Sequence, residues 1–439
     1  MSGAAAPLPG STTPGPSRRS LLKWGSLGAA ALGAAPLLAS CSSSGSSGGS
    51  PTRVRVWTWY GEQRDEWPRL VEAFQEANPS ITVENRVFGT PDQYLPALAA
   101  AVSGGDVPEI FAPHVRALTY GEAGVSADLT AELGSDFLSD FFQSTIDEYT
   151  LDGSQYAVGW MAQTFGIFYN PDLFEAAGVT DEPQTWDQLI SAAEMINATG
   201  KSAVALSANP GTSGLDFFLP LLAQVSGDPT FYLRLDQLDG VTYEDPVVIQ
   251  SLELLQRLVA GNVFQDGVNG TSGDQALSLF FTEGSAMNFN GSWAPQNYVQ
   301  NAPPEFVDKY RVMRNPALEQ GAPHYTANQA GAGLAVSATS PAKDAALEFL
   351  QFMYQPEQYV RTMNNSNSMP STKSAATEVE NPVLEQMTSW LLDGDGVPHI
   401  PFGAGSSEAA GPLANIWDGS GEPAAVAAAM QQAVENARG

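Results

Sequence analysis

The side chains able to do chemistry in this sequence form one thin stock and one rich one. Nucleophiles and metal ligands are thin: a single cysteine, Cys41, and three histidines, His114, His324 and His399. One cysteine excludes an intramolecular disulfide framework and any Cys-rich zinc site. No Walker-A loop occurs, and three scattered histidines argue against a Ser-His-Asp triad. Paired carboxylates could run glycoside hydrolysis, but among 48 acidic residues chance pairs abound, so composition lends no support. Asp393-Gly394-Asp395-Gly396 resembles part of a calcium loop, lacks the bidentate Glu at the required spacing, and reads as a turn. Neither a metal site nor a cofactor is expected.

The rich stock is aromatic: 9 Trp, 13 Tyr and 20 Phe, many beside polar residues where strands should end rather than inside helical stripes. Rings cover apolar C–H faces of a ligand, while carboxylate, amide and guanidinium groups fix its polar rim. Open α/β sheets place ligands at the carboxyl ends of their strands. Trp57-Thr58-Trp59-Tyr60-Gly61-Glu62 ends the first strand and offers Trp59, Tyr60 and Glu62, with Trp57 assigned to packing on a helix. His114 and Arg116 follow the third strand and fit a solvated surface pair equally well. Trp160 and Gln163, Asp216-Phe217 after a Gly-rich loop, Trp293 in Asn290-Gly291-Ser292-Trp293, and Phe402 complete the candidates. Asp216-Phe217 would also serve as the N-cap and staple of a helix, and Trp293 as a cap on a core.

Strands and helices must alternate to carry these residues. Alternation marks a strand over Val54–Trp59 and another over Ile81–Phe88. Between them Trp67, Leu70, Val71 and Phe74 keep helical spacing, stopped by Asn78-Pro79. Thr90-Pro91 reads as N-cap and first helical residue, Gly104-Gly105 as the stop, and Glu109-Ile110-Phe111 as a third strand. This β-α-β-α-β order predicts a parallel sheet covered by helices. Further along, strands are expected at Gly166–Asn170, Ser202–Leu206, Ala286–Asn290 and Gly333–Ser337, with Pro171-Asp172 a turn. Thr185 and Asp245-Pro246 should cap helices, the second closed by Gly261, and Ser340-Pro341 should start another. At 439 residues and 43 % hydrophobic content, two α/β lobes of roughly 150–200 residues fit best.

Residues 1–40 read as an address. Arg18-Arg19 and Lys23 precede an apolar run from Leu27 to Ala39, shorter than a bilayer span. The paired arginines resemble a twin-arginine export signal, and Leu38-Ala39-Ser40-Cys41 a lipobox whose cysteine is diacylated into a stable anchor. Ser and Gly fill 42–50, a flexible tether. The net charge is −29, and loss of residues 1–40 (three cations, no acid) takes it to −32. Such a surface repels phosphate backbones and anionic lipid, which argues against nucleic acid as a partner.

Several ordered segments resemble the extracellular solute-binding proteins of ABC importers, the maltose-binding-protein-like group for carbohydrates. They are Tyr94–Phe111, Tyr156–Trp160, Gly166–Gly178, Pro183–Leu189, Phe281–Trp293, and Ala332–Ser337 with Ala345–Met353. The resemblance spans residue 53 to about 435. It implies an α/β, two-lobed periplasmic-binding-protein-like fold with a hinge and interlobe cleft: lobe 1 from 53–165 plus 329–373, lobe 2 from 166–328 plus 374–439. The chain would cross the hinge near Gln163–Gly166, Asn328–Gly331 and Pro370–Ser374. It implies a sugar in the cleft, closure on binding, membrane permease subunits as partners, an ATPase on another chain, and a lipid-anchored place on the extracytoplasmic face. Arg116 aligns with an arginine among the family's sugar contacts, Trp293 with a tryptophan that stacks on sugar, and Asp216-Phe217 with an aromatic–polar contact segment. Gln163 stands where the family has an acid, a departure in charge. The alternatives are a secreted lipoprotein enzyme acting on glycans, or the same fold binding a non-sugar solute such as an amino compound or a phosphate ester.

Overall fold

The structure, a computed structural model, describes residues 51–209, 213–393, 396–398 and 404–438. Its strands are β1 (Thr52–Thr58), β2 (Ile81–Val87), β3 (Ile110–Phe111), β4 (Thr150–Leu151), β5 (Ser154–Gln155), β6 (Val158–Tyr169), β7 (Ser202–Ala205), β8 (Ser285–Gly291), β9 (Arg311–Met313), β10 (Thr326–Val336) and β11 (Gly396–Pro398). β4 and β5 form a small hairpin; the others run in the order β2-β1-β3-β10-β6-β8-β7, with β11 beside β10 and β9 beside β6.

Local signals account for the first third. Trp67–Ala77 is a helix that buries Trp67, Leu70 and Phe74 and ends on Asn78. Thr90 caps Pro91–Gly104, its side chain accepting from the Gln93 amide, and Gly105 ends that helix at φ 68°, which glycine adopts without a Cβ penalty. The connections leave β1 parallel to both β2 and β3. The sheet as a whole is mixed, because β10 runs antiparallel to β3 and β6, and β6 antiparallel to β8. Pro171-Asp172 is not a free turn: it opens the helix Pro171–Ala177, whose N-cap Asn170 accepts from the Asp172 amide at 2.9 Å.

β6 and β10 are much longer than their sequence suggests, and both pass from one core to another. Along β6, Val158 and Trp160 join a first core with Val54, Val56, Ile110, Phe111, Phe349 and Leu350, whereas Phe165 and Ile167 join a second with Val204, Leu252, Leu255, Met287 and Leu413. Along β10, Ala327 sits in the second core and Leu334 in the first. A third, smaller cluster lies beside the crossing: Phe142, Ala162, Phe168, Met369, Met387 and Trp390. There the chain returns alongside β6, with Ala162 donating to the Met369 carbonyl at 3.0 Å and Phe142 to Ser371 at 3.0 Å. The C-terminal helices Ala404–Trp417 and Pro423–Arg438 then pack Ile416, Val426 and Met430 into the second core.

One buried acid fastens the parallel strands. Glu109, just before β3, accepts from the Arg55 amide at 2.7 Å and from Arg55 Nε at 3.0 Å. Burial alone would raise its carboxyl, but the Arg55 bonds outweigh that and hold it below the ordinary 4.5. Glu109→Gln should therefore lower stability by about 1–3 kcal/mol at neutral pH, measured by urea denaturation. A depressed carboxyl contributes fully above its unfolded pKa, and its contribution fades as pH falls through the folded value. The variant should lack that part of the wild-type acid sensitivity.

Candidate ligand-binding site

The chain leaves the carboxyl end of β1 through Trp59 and Tyr60 into a single helical turn, Gly61–Gln63. Trp59 is half-buried, its ring centroid 4.9 Å from Tyr60, 4.8 Å from Tyr94 and 5.2 Å from His114. Trp59 and Glu62, with Gly61, Arg64, Asp65 and Gly89, line a hollow of about 470 Å³. Its opposite wall is Asn297 and Gln300, on the helix Ala294–Asn301 that follows β8. One hollow thus joins an aromatic ring, two carboxylates, a guanidinium and two amides drawn from chain segments more than 200 residues apart. Burial raises the carboxyl of Glu62 above its ordinary 4.5, its own backbone amide pulling weakly the other way.

Trp293 precedes that helix, and its carbonyl accepts from the Asn297 amide at 3.2 Å, so the two lie one turn apart on the same face. The ring is half-buried, edge-on to Phe165 at 5.1 Å, and covers Gly291 so closely that a Cβ there would run into it. Where β6 and β10 meet below β8, buried neutral groups converge. Thr164 Oγ1 donates to Asn328 Oδ1 at 2.6 Å and lies 3.2 Å from Thr326 Oγ1, while the Ser292 amide donates to the Thr164 carbonyl at 2.9 Å. Gln163, half-buried, adjoins this knot on β6, opposite Gln329.

The other candidates are placed as follows. His114 is half-buried at φ 53°, a conformation few non-glycine residues adopt, and its ring lies edge-on to Trp59. Arg116 is exposed at the end of the same turn. Asp216 is buried in the first turn of the helix Ser213–Ser226. Three expected contacts are core residues instead. Tyr60 is 2 % exposed and its hydroxyl donates to the Gly333 carbonyl at 2.6 Å. Trp160 is 0 % exposed, enclosed by Tyr354 and Tyr359 at 5.2 and 5.0 Å, with Nε1 donating to Gln63 Oε1. Phe217 is 0 % exposed among Trp186, Phe264, Phe289 and Trp417. In each case the interior already covers the ring. Phe402 and Cys41 lie outside the described residues. Asn297 and Gln300 were not foreseen, although Asn297 stands four residues after Trp293 in a helix opened by Pro295. Among the described residues no group of three or more His, Cys, Asp or Glu could hold a metal ion.

The family model for bacterial extracellular solute-binding proteins matches residues 60–360. The chain belongs to that family. A multiple sugar-binding protein from Streptococcus mutans is 25 % identical over 340 residues, covering 76 % of each chain. A lactose-binding protein from Rhizobium radiobacter is 26 % identical over 402 residues, covering 86 % of this chain and 89 % of its own. A solved chitin oligosaccharide binding protein superposes with a TM-score of 0.75 at 20 % identity, covering 89 % of this chain and 99 % of its own. The fold of this solute-binding protein is thus the two-lobed one, with β6 and β10 crossing between the halves.

Gly291→Ala tests how Trp293 is seated. The added methyl must push the ring off Gly291, at a cost of about 1–3 kcal/mol. Chemical denaturation should show that loss, and near-ultraviolet circular dichroism should show an altered tryptophan environment with unchanged far-ultraviolet signal.

Proposed function

We propose that this solute-binding protein binds a sugar or oligosaccharide in the hollow between its lobes and delivers it to the permease subunits of an ABC importer. The observation that carries this reading is that Trp59 and Glu62 face Asn297 and Gln300 across one cavity. A neutral polyol needs both kinds of contact, a ring against its C–H face and acceptors and donors for its hydroxyls. A ligand touching both walls favours the closed form, since only that form contacts it from both sides. The sugar-binding relatives support the reading and are themselves binding proteins. The lobes are taken as 53–165 plus 329–373 and 166–328 plus 374–439. Trp59 and Glu62, with Trp293 one helical turn from Asn297, are taken as the principal contacts, and His114, Arg116, Gln163 and Asp216 as further candidates. The basic, apolar and Leu38–Cys41 segments support export and a diacyl anchor at Cys41, holding the protein on the outer face of the membrane.

Calorimetry and thermal shift against lactose, raffinose, maltotriose and chitobiose test it. Binding should raise the melting temperature by mass action, with no product formed. Trp59→Ala and Trp293→Ala should each weaken binding about tenfold or more without unfolding the protein. No shift with any sugar, or turnover of one, would overturn the reading.

Acidification offers a second measurement. Ionised Glu62 accepts from ligand hydroxyls, and its raised carboxyl protonates at a higher pH than an ordinary glutamate. Affinity should begin to fall while pH is still above 4.5, and Glu62→Gln should flatten that limb.

A further inference from the structure

The ladder between β6 and β10 is interrupted twice. Gln329 pairs with Gln163, Ala332 with Met161, and Gly333 with Gly159. Between the first two pairs β10 carries one residue more than β6; between the last two the surplus is on β6, and the surplus residue is Trp160. These opposed bulges disturb the ladder at Gly159, Trp160 and Gly333, and side chains meet the carbonyls of all three. Tyr354 donates to Gly159, Tyr359 to Trp160 and Tyr60 to Gly333, each at 2.6 Å. Gly333 has no room for a side chain, since a Cβ there would lie 2.5 Å from the Tyr149 ring. The Trp160 indole is held as well, by Gln63 Oε1, and Gln63 Nε2 reaches Met363 Sδ at 3.7 Å.

Two of these ties, Tyr60 to Gly333 and Gln63 to Trp160, leave from the loop that carries Trp59 and Glu62. Glu62 sits between the two anchors, and Trp59 directly before the first. Both anchors are buried, at 2 % and 1 % exposure, and each bonds a different crossing strand. We propose that Tyr60 and Gln63 are positioning residues: their bonds to the bulged strands fix Trp59 and Glu62 before a ligand arrives, so that binding does not have to order the loop. The inference rests on the sugar-binding reading for its effect on affinity, but not for its effect on the loop itself.

Tyr60→Phe and Gln63→Met remove the bonds while keeping shape and apolar bulk. Hydrogen exchange of the ligand-free protein should show the 59–64 peptide exchanging about tenfold faster in both variants, with Ile81–Val87 unchanged. Melting temperature should move by only a few degrees, and affinity for whichever of lactose, raffinose, maltotriose or chitobiose binds the wild type should fall about threefold to tenfold. Unchanged exchange at 59–64 would overturn the proposal. So would faster exchange spread evenly over the first lobe, the mark of a merely structural role, or faster local exchange with wild-type affinity. Should the wild type bind none of the sugars, the sugar reading fails while the exchange comparison still decides whether the anchors hold the loop.

Discussion

A backbone carbonyl removed from water must find a donor. That requirement presses hardest on β6 and β10, which are buried along most of their length and interrupted where they cross. Tyrosines from three separate segments answer it: the loop after β1, the end of the helix Lys343–Met353, and the helix Pro356–Asn365. Meeting those carbonyls draws the helices after β10 back onto the first lobe and fastens the loop that borders the hollow. The site and the crossing are therefore one construction, although most of the side chains at the crossing never face the cavity.

Charge is distributed with equal consequence. The chain carries −29, yet the knot at the crossing is built from threonine, serine and asparagine. No ion has to be stripped of water there, so the crossing escapes the large desolvation cost of a buried charge. Charged groups appear at the open hollow, where Glu62 and Asp65 stand with Arg64. That mixture suits a ligand recognised by its hydroxyls, whereas a strongly anionic one would face two carboxylates against one guanidinium.

How much of this was legible in the sequence depended on whether the deciding signal was local. Helices announced by a cap were read closely: Thr90-Pro91, Thr185 before Trp186, and Asp245-Pro246 all mark true starts. β6 and β10 were half missed because burial on both faces erases the alternation that identifies a strand. Sequence order pointed to Trp59 and Glu62 at the end of β1, which line the hollow, while Trp57, expected against a helix, packs 5.5 Å from Phe88 just after β2. Tyr60, Trp160 and Phe217 could not be told from cleft rings, because an aromatic residue at a strand end serves an interior and a ligand equally well. Asn297 and Gln300 reach the hollow only through tertiary placement of their helix.

The knot of Thr164, Thr326, Asn328 and Ser292 has a mechanical corollary. A carboxylate–guanidinium pair at a pivot would act as a catch, strong in one geometry and costly to leave. Hydroxyls swivel about their C–O bonds and both give and take a hydrogen bond, so one partner can be traded for the next as the strands twist. The joint is suited to behave as a greased bearing, leaving the choice between gaping and shut to whatever lies in the mouth.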